Sequence, residues 1–503
     1  MKARRSFYNI VFGLISQIII IAFGIIVPRL FIIKLGSEAN GFMSSINQIF
    51  AYMTLLEAGV GAATIQALYK PLAADDKTSI NGILSATSKY YKKTGKYYLL
   101  ALIATSIIYP LVVKSQIGRV YILLVIFFTG MAGVMNYFFQ AKFKLLLTAE
   151  GKTYIVTNIS LIVTILINAV KIILLLLNYN IVTIQISYFI INFLQMLLIW
   201  IYIKKNYKWI DLKVKPDYSA ISQKSSVLIH QISGMIFNNT DVIILTFFCG
   251  LKVVSVYTMY CLVFQMINSI ISNLNSGFVF VLGSKYYENK DEFLNIYDSY
   301  ELYYTALVFA LYSITYILIL PFMKLYTAGI TDINYIDYKL PILFVTLNLF
   351  YFARSPGVNA ITVAGHFKET RYRSIIESSI NIAVSLICVY KYGIYGVLMG
   401  TIAALLYRTN DIIIYTSRHI LNRSCWISYK RWFLNSLLFL ITVAAAAKFN
   451  ITAVSYISFL KKGVILFLII VPLFFIVTSI FDIKSFKYTF GYIKKYFKLF
   501  VRS

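Results

Sequence analysis

Fourteen apolar runs joined by short connections take up most of the 503-residue chain. Hydrocarbon about 30 Å thick is crossed by about 20 residues in helical form, and only helices or closed barrels satisfy their own backbone groups there. The runs lie near residues 7–33, 41–69, 97–113, 120–141, 153–177, 181–203, 225–249, 253–283, 302–323, 340–364, 374–390, 393–417, 432–447 and 463–481. Charged residues make up 13% of the chain, about half the share usual in soluble domains. The sequence therefore predicts an all-α polytopic membrane protein with about 14 transmembrane helices. Its hydrophilic segments are too short to house a folded catalytic domain, so no enzyme is expected.

A net charge of +28 invites a nucleic-acid reading, but the distribution of the charge argues against one. With the N-terminus inside, the inner loops and tails hold 33 of the 47 Lys and Arg, the outer loops 10 and the spans 4. That asymmetry is the positive-inside rule, and it places both termini in the cytoplasm and anionic lipid at the inner surface. Met1–Arg5 opens like a signal peptide, yet the apolar run is too long and no small-residue cleavage site follows, so a retained first helix is expected. Cys249, Cys261, Cys388 and Cys425 lack metal or disulfide spacing, and three scattered histidines add no metal site.

Two stretches of the chain echo each other. An offset of 214 residues superposes Gln17 on Gln231, Gly36 on Gly250 and Gly41 on Ser255. "LTAEGKTY" before the fifth span and "TVAGHFKETRY" before the eleventh add a second match in the same order. We read an N-terminal six-helix lobe (1–203), a cytoplasmic linker (204–224), a C-terminal six-helix lobe (225–420), two added helices (421–481) and a basic tail (482–503). An even repeat keeps its orientation, so the pseudo-twofold axis runs along the membrane normal. In the tail, Phe486, Phe490, Ile493, Phe497 and Phe500 gather on one side of a helix and Lys487, Lys494, Lys495 and Lys498 on another, the pattern of an interfacial helix.

Between Gly41 and Tyr69, Glu57 is the only charge. A carboxylate at that depth costs about 2.5–3.5 kcal/mol on insertion scales, so it needs a reason. Span two sets Asn47, Thr54, Glu57, Gly61 and Thr64 on one face; span eight does the same with Gln265, Asn268, Ser269, Ser272, Asn275 and Ser276. Span seven carries Asn238, Asn239 and Asp241. Such stripes line a wet interior or bond between helices, and the shared position in both repeats favours a cavity lining. Arg29 and Lys171 lie near outer ends and are within snorkelling reach. Glu377 lies a turn from the cytoplasm, where water would solvate it. Arg408 and Asp411 are spaced to pair at i, i+3. Glu57, Asp241 and Arg354 are deepest, without a local partner in sequence. "RSPGVN" (354–359) puts Pro356 and Gly357 after Arg354, which predicts a broken helix there.

"LGSEANGFMSSINQI" (35–49), "LLEAGVGAA" (55–63), "ALYKPLAADD" (67–76), "NNTDVIILTFFCG" (238–250) and "YKYGIYGVLMGT" (390–401) resemble the Wzx-type flippases of capsular and O-antigen repeat units, in the multidrug/oligosaccharidyl-lipid/polysaccharide (MOP) exporter superfamily. The resemblance spans most of residues 1–420. Asn40-Gly41-Phe42 departs from it, since an aromatic residue or leucine more usually precedes that glycine. The resemblance implies two six-helix lobes around a central cavity, with two extra C-terminal helices. It implies undecaprenyl-diphosphate-linked oligosaccharide as cargo, with a polysaccharide polymerase and a chain-length regulator as partners beside membrane lipids. On that footing Arg29 and Arg354 are candidates for the diphosphate. Asn47, Asn238, Asn239, Gln265, Asn268, Ser272 and Asn275 are candidates for the sugar. No cofactor is expected beyond a coupling H⁺ or Na⁺ at Glu57 or Asp241; Glu57 has the alternative role of holding Arg29 or Arg354 in place. A lipid II flippase and an organic-cation antiporter share the architecture. A membrane polymerase or ligase is a remoter alternative that would want a larger outer loop.

Overall fold

The computed structural model describes residues 2–57, 59–219, 225–449 and 451–502, and among them it holds helices and no strand. In chain order these are α1 (Lys2–Met53), a 3-10 turn (Thr54–Glu57), α2 (Val60–Ala73), α3 (Lys77–Val112) and α4 (Arg119–Met135). A π-turn (Asn136–Gln140) leads into α5 (Ala141–Ala149), α6 (Thr153–Leu176), α7 (Ile181–Asn206) and α8 (Ser225–Phe248). Then come α9 (Leu251–Glu288), α10 (Lys290–Tyr326), α11 (Leu340–Ala353), α12 (Ser355–Ala364) and α13 (Phe367–Tyr392). The chain closes with α14 (Ile394–His419), α15 (Trp426–Ala447), α16 (Tyr456–Phe481) and α17 (Ile483–Arg502).

Among the described residues, 11 helices are long and apolar enough to cross a membrane. One of them, Ile19–Glu57, is bent at Gly36 (φ 85, ψ 166) into two span-length pieces. The shorter apolar helix Ile232–Phe248 and the pair α11–α12 supply further crossings, which brings the total to about the number expected. The protein is a multi-pass membrane protein.

Helices exceed the apolar runs where polar sequence has good caps. α3 begins 20 residues before its apolar run, at Lys77, because Asp76 accepts from the Thr78 and Ser79 amides at 3.1 Å each. Segment 207–217 lies along this extension: Asn81 donates to the Trp209 carbonyl, and Ser85 to those of Leu212 and Val214. The connection between the second and third apolar runs is thus helical and covered rather than a loop.

The chain divides into two compact units, Met1–Val256 and Tyr257–Ser503. In the first, α8 packs on α1, and a Cβ on Gly41 would lie 1.7 Å from the carbonyl oxygen of Leu251 at the start of α9. Asn40 Nδ2 donates to Ser255 Oγ at 2.8 Å beside it. Gly36 and Gly250, matched by the 214-residue offset, both take φ 85, a conformation glycine adopts without a Cβ penalty. In the second unit, α13 and α14 form a tight hairpin: Gly396 meets the Cys388 carbonyl and Gly400 the Ser385 backbone.

Candidate functional site

The polar interior of the first unit centres on Glu57. The 3-10 turn ends on Glu57, and Gly59 takes φ 85, so span two breaks where the carboxylate sits. Tyr91 donates its hydroxyl to Glu57 Oε1 at 2.5 Å, and the Tyr137 hydroxyl bonds to the same carboxylate. Tyr137 is turned inward by the π-turn between α4 and α5; such turns concentrate at functional sites. Lys144 Nζ donates to Asn136 Oδ1 at 3.0 Å and interacts electrostatically with Glu57. A Cβ on Gly61 would stand 3.3 Å from Glu57 Oε1, so a side chain there would crowd the carboxylate. This donor set of two phenols and a lysine suits an anionic carboxylate. It supplies few of the oxygens a hard cation needs.

Asp241, expected as the matching acid of the other lobe, lies in the first unit because α8 packs on α1. It is buried next to Thr240, whose hydroxyl shares a 2.6 Å hydrogen bond with Tyr52. Asn238 and Asn239 each donate to a carbonyl one turn back, at 2.8 Å, and Asn238 is exposed. Asn47 is exposed on α1, and Arg29, after Pro28, is half-buried.

In the second unit the helix breaks on Arg354 itself, between α11 and α12, as the Pro356–Gly357 pair predicts. A Cβ on Gly357 would lie 2.4 Å from an Ile412 methyl, so this glycine lets α12 close on α14. Arg354, without a local partner in sequence, finds one on another helix, where its Nη1 donates to Glu377 Oε1 at 2.8 Å. Glu377 is buried (8% exposed) rather than solvated, because α13 turns it inward toward α12 and α14. Its other oxygen lies 3.5 Å from Arg408 Nε. Arg408 makes the expected i, i+3 pair with Asp411 at 2.6 Å, and Arg373 also pairs with Asp411. Arg373 stacks over Tyr415, whose hydroxyl meets His366 Nδ1 at 3.0 Å. Three guanidinium groups thus share two carboxylates.

The span-eight stripe divides. Asn268 accepts from the Tyr312 hydroxyl at 2.6 Å and donates to Asn348 Oδ1 at 3.0 Å. Asn275 accepts from Tyr300 and from Asn359 Nδ2, the latter at 3.0 Å. The two asparagines are therefore knots between α9, α10 and α11 or α12. A buried amide bonds to the nearest helix when the partner is there. Gln265 and Ser272 are exposed on α9 and keep their polar ends open.

Sequence reasoning missed Tyr91, Tyr137 and Arg373, which sit beside the basic stretches of α3, α5 and α13. It also missed an ionic cluster of Asp298, Glu301, Arg423, Arg431 and Asp482. The i, i+3 acids Asp298 and Glu301 on an otherwise basic side were the available clue.

No family model and no curated protein sequence matches the chain. Solved structures do match. Lipid II flippase MurJ, in an inward closed conformation, has a TM-score of 0.68 at 16% identity and covers 94% of this chain and 99% of its own. An inward-facing multidrug resistance MATE family transporter of the MOP superfamily has a TM-score of 0.61 at 16% identity, covering 79% and 95%. A point mutant of the Vibrio cholerae MATE transporter VcmN has a TM-score of 0.51 at 13% identity, covering 84% and 98%. The chain has the fold of the MOP superfamily transporters.

Proposed function

We propose that the protein is a flippase of that superfamily, of the Wzx type. It carries undecaprenyl-diphosphate-linked oligosaccharide from the cytoplasmic to the outer leaflet of the bacterial plasma membrane by alternating access, for capsule, O-antigen or exopolysaccharide assembly. Both termini lie in the cytoplasm. The observation that carries the reading is the guanidinium surplus of the second unit, where Arg354, Arg373 and Arg408 share Glu377 and Asp411. A surplus of cations, two of them (Arg354 and Arg408) at low exposure, favours an anionic cargo, and a planar fork of donors suits a diphosphate. An organic cation would be repelled there. Arg354, at the helix break, is the diphosphate contact, with Arg29 as its counterpart in the first unit. Gln265, Ser272, Asn47 and Asn238 offer exposed polar groups to the sugar.

Glu57 is the coupling acid. Its surroundings hold few of the oxygens that a Na⁺ site needs, which argues against Na⁺ as the coupled ion.

The test is an export series at Arg354. Export should fall in the order wild type, Arg354→Lys, Arg354→Ala, with lipid-linked repeat units accumulating on the cytoplasmic side. If Arg354 served only to neutralise Glu377, the double variant Arg354→Ala with Glu377→Gln would recover export, and that rescue would falsify the diphosphate role.

A further inference from the structure

The C-terminal helix has no part in the transport reading, yet it carries a strongly one-sided pattern. α16 ends at Asp482, where φ −125 and ψ 68 break the helix, and α17 sets off in a new direction. Residues 483–503 hold six cations (Lys484, Lys487, Lys494, Lys495, Lys498 and Arg502) and no acid. The start of α17 is fastened to the rest of the unit. Arg431 Nη2 donates to Asp482 Oδ2 at 2.6 Å and to Ser485 Oγ at 3.2 Å, while its Nη1 donates to Glu301 Oε2 at 2.5 Å.

Beyond this clasp, α17 runs beside α9, α10 and α16 and encloses with them an open trough of about 1050 Å³. Phe278, Tyr303, Phe475, Ile483 and Phe490 wall it, and among the described residues Lys487 is the one charged side chain lining it and no acid does. Phe486 and Phe490 are 41% and 61% exposed, so a large part of each residue is left open. An acid-free apolar trough beside a helix with six cations complements a lipid with a negatively charged headgroup.

We propose that α17 is an interfacial docking helix for anionic phospholipid, with headgroup phosphates on Lys484, Lys487 and Lys494 and acyl chain in the trough. The Arg431–Asp482 clasp holds the helix in place for it.

The test uses the full chain, with its four cysteines replaced and Thr489→Cys carrying an environment-sensitive fluorophore, in lipid nanodiscs. Replacing zwitterionic phosphatidylcholine stepwise by phosphatidylglycerol should shift the emission toward that of a buried probe, and high salt should reverse the shift. Each surface lysine contributes about fivefold to binding. Lys484→Gln with Lys487→Gln and Lys494→Gln should therefore weaken docking about 100-fold and leave little shift at any lipid ratio. As a readout on unaltered protein, native mass spectrometry from an equimolar lipid mixture should show phosphatidylglycerol retained over phosphatidylcholine. The same emission in pure phosphatidylcholine would mean apolar anchoring alone, and equal retention of both lipids would mean no headgroup recognition. Emission insensitive to every lipid would mean that polypeptide covers the trough. Each of these three outcomes overturns the proposal.

Discussion

Replacing Arg431 by leucine removes a guanidinium on which Asp298, Glu301, Asp482 and Ser485 converge. Arg431 is 5% exposed and Glu301 6%, so the pair is buried. Deleting one partner of a buried pair costs about 3–5 kcal/mol, because the other charge is left uncompensated. Arg423 stays on Glu301 at 2.6 Å, and the Asp298 and Asp482 side chains are 27% and 25% exposed, so the lower end, about 3 kcal/mol, applies. For a unit of this size that corresponds to a Tm about 6–12 °C lower. Thermal unfolding of the purified protein in detergent measures it. Adding Glu301→Gln to Arg431→Leu should recover part of the loss, since it discharges the stranded carboxylate. A drop under 2 °C for Arg431→Leu would refute the argument that this cluster holds α10, α15 and the start of α17 together. The same contacts set an acid limit. Burial raises the Asp482 carboxyl pKa, but the Arg431 hydrogen bond and charge outweigh it, so the group lies below its ordinary value. A depressed folded value contributes stability fully above the unfolded value near 3.9, and that contribution is lost as pH falls through the folded value. Wild-type Tm should thus fall more steeply below about pH 4 than that of Arg431→Leu.

Gly41→Leu cannot fit against the Leu251 carbonyl, so the contact of α1 with the start of α9 should open and export should be lost. Reaction of a cysteine at Ser255 with thiol reagent should rise in the same variant. Thr78, Ser219 and Thr331 are exposed and make sound topology probes. Single cysteines at the first two should be shielded from an impermeant outside reagent and one at Thr331 labelled; outside labelling at Ser219 would break the span assignment. Ser428 and Ser37 are buried, so cysteines there would report burial instead of side. Glu57→Gln should abolish coupled export while leaving the folded protein in the membrane; normal export would make the carboxylate structural.

Much of the fold was legible because a membrane span writes itself into composition. The break at Arg354 was legible too, since Pro356 and Gly357 mark it whatever packs nearby. Partnership was not. Glu377 looked solvated because depth along a helix says nothing about which way the residue faces, and α13 turns it onto Arg354 and Arg408. Asn268 and Asn275 looked like a lining because a polar stripe reads the same whether it meets water or Tyr312, Asn348 and Asn359. The π-turn at Asn136–Gln140 has no periodicity of its own, so Tyr137 escaped notice.

The central claim is movement of an anionic, diphosphate-linked glycolipid, and reconstitution into proteoliposomes tests it most directly. A fluorescent undecaprenyl-diphosphate oligosaccharide would be placed in both leaflets, and the fraction open to a membrane-impermeant quencher followed with time. The account predicts protein-dependent movement between leaflets that slows from wild type through Arg354→Lys to Arg354→Ala, with no transport of a lipophilic organic cation. Transport of the cation with an immobile glycolipid, or glycolipid movement that ignores Arg354, would contradict it.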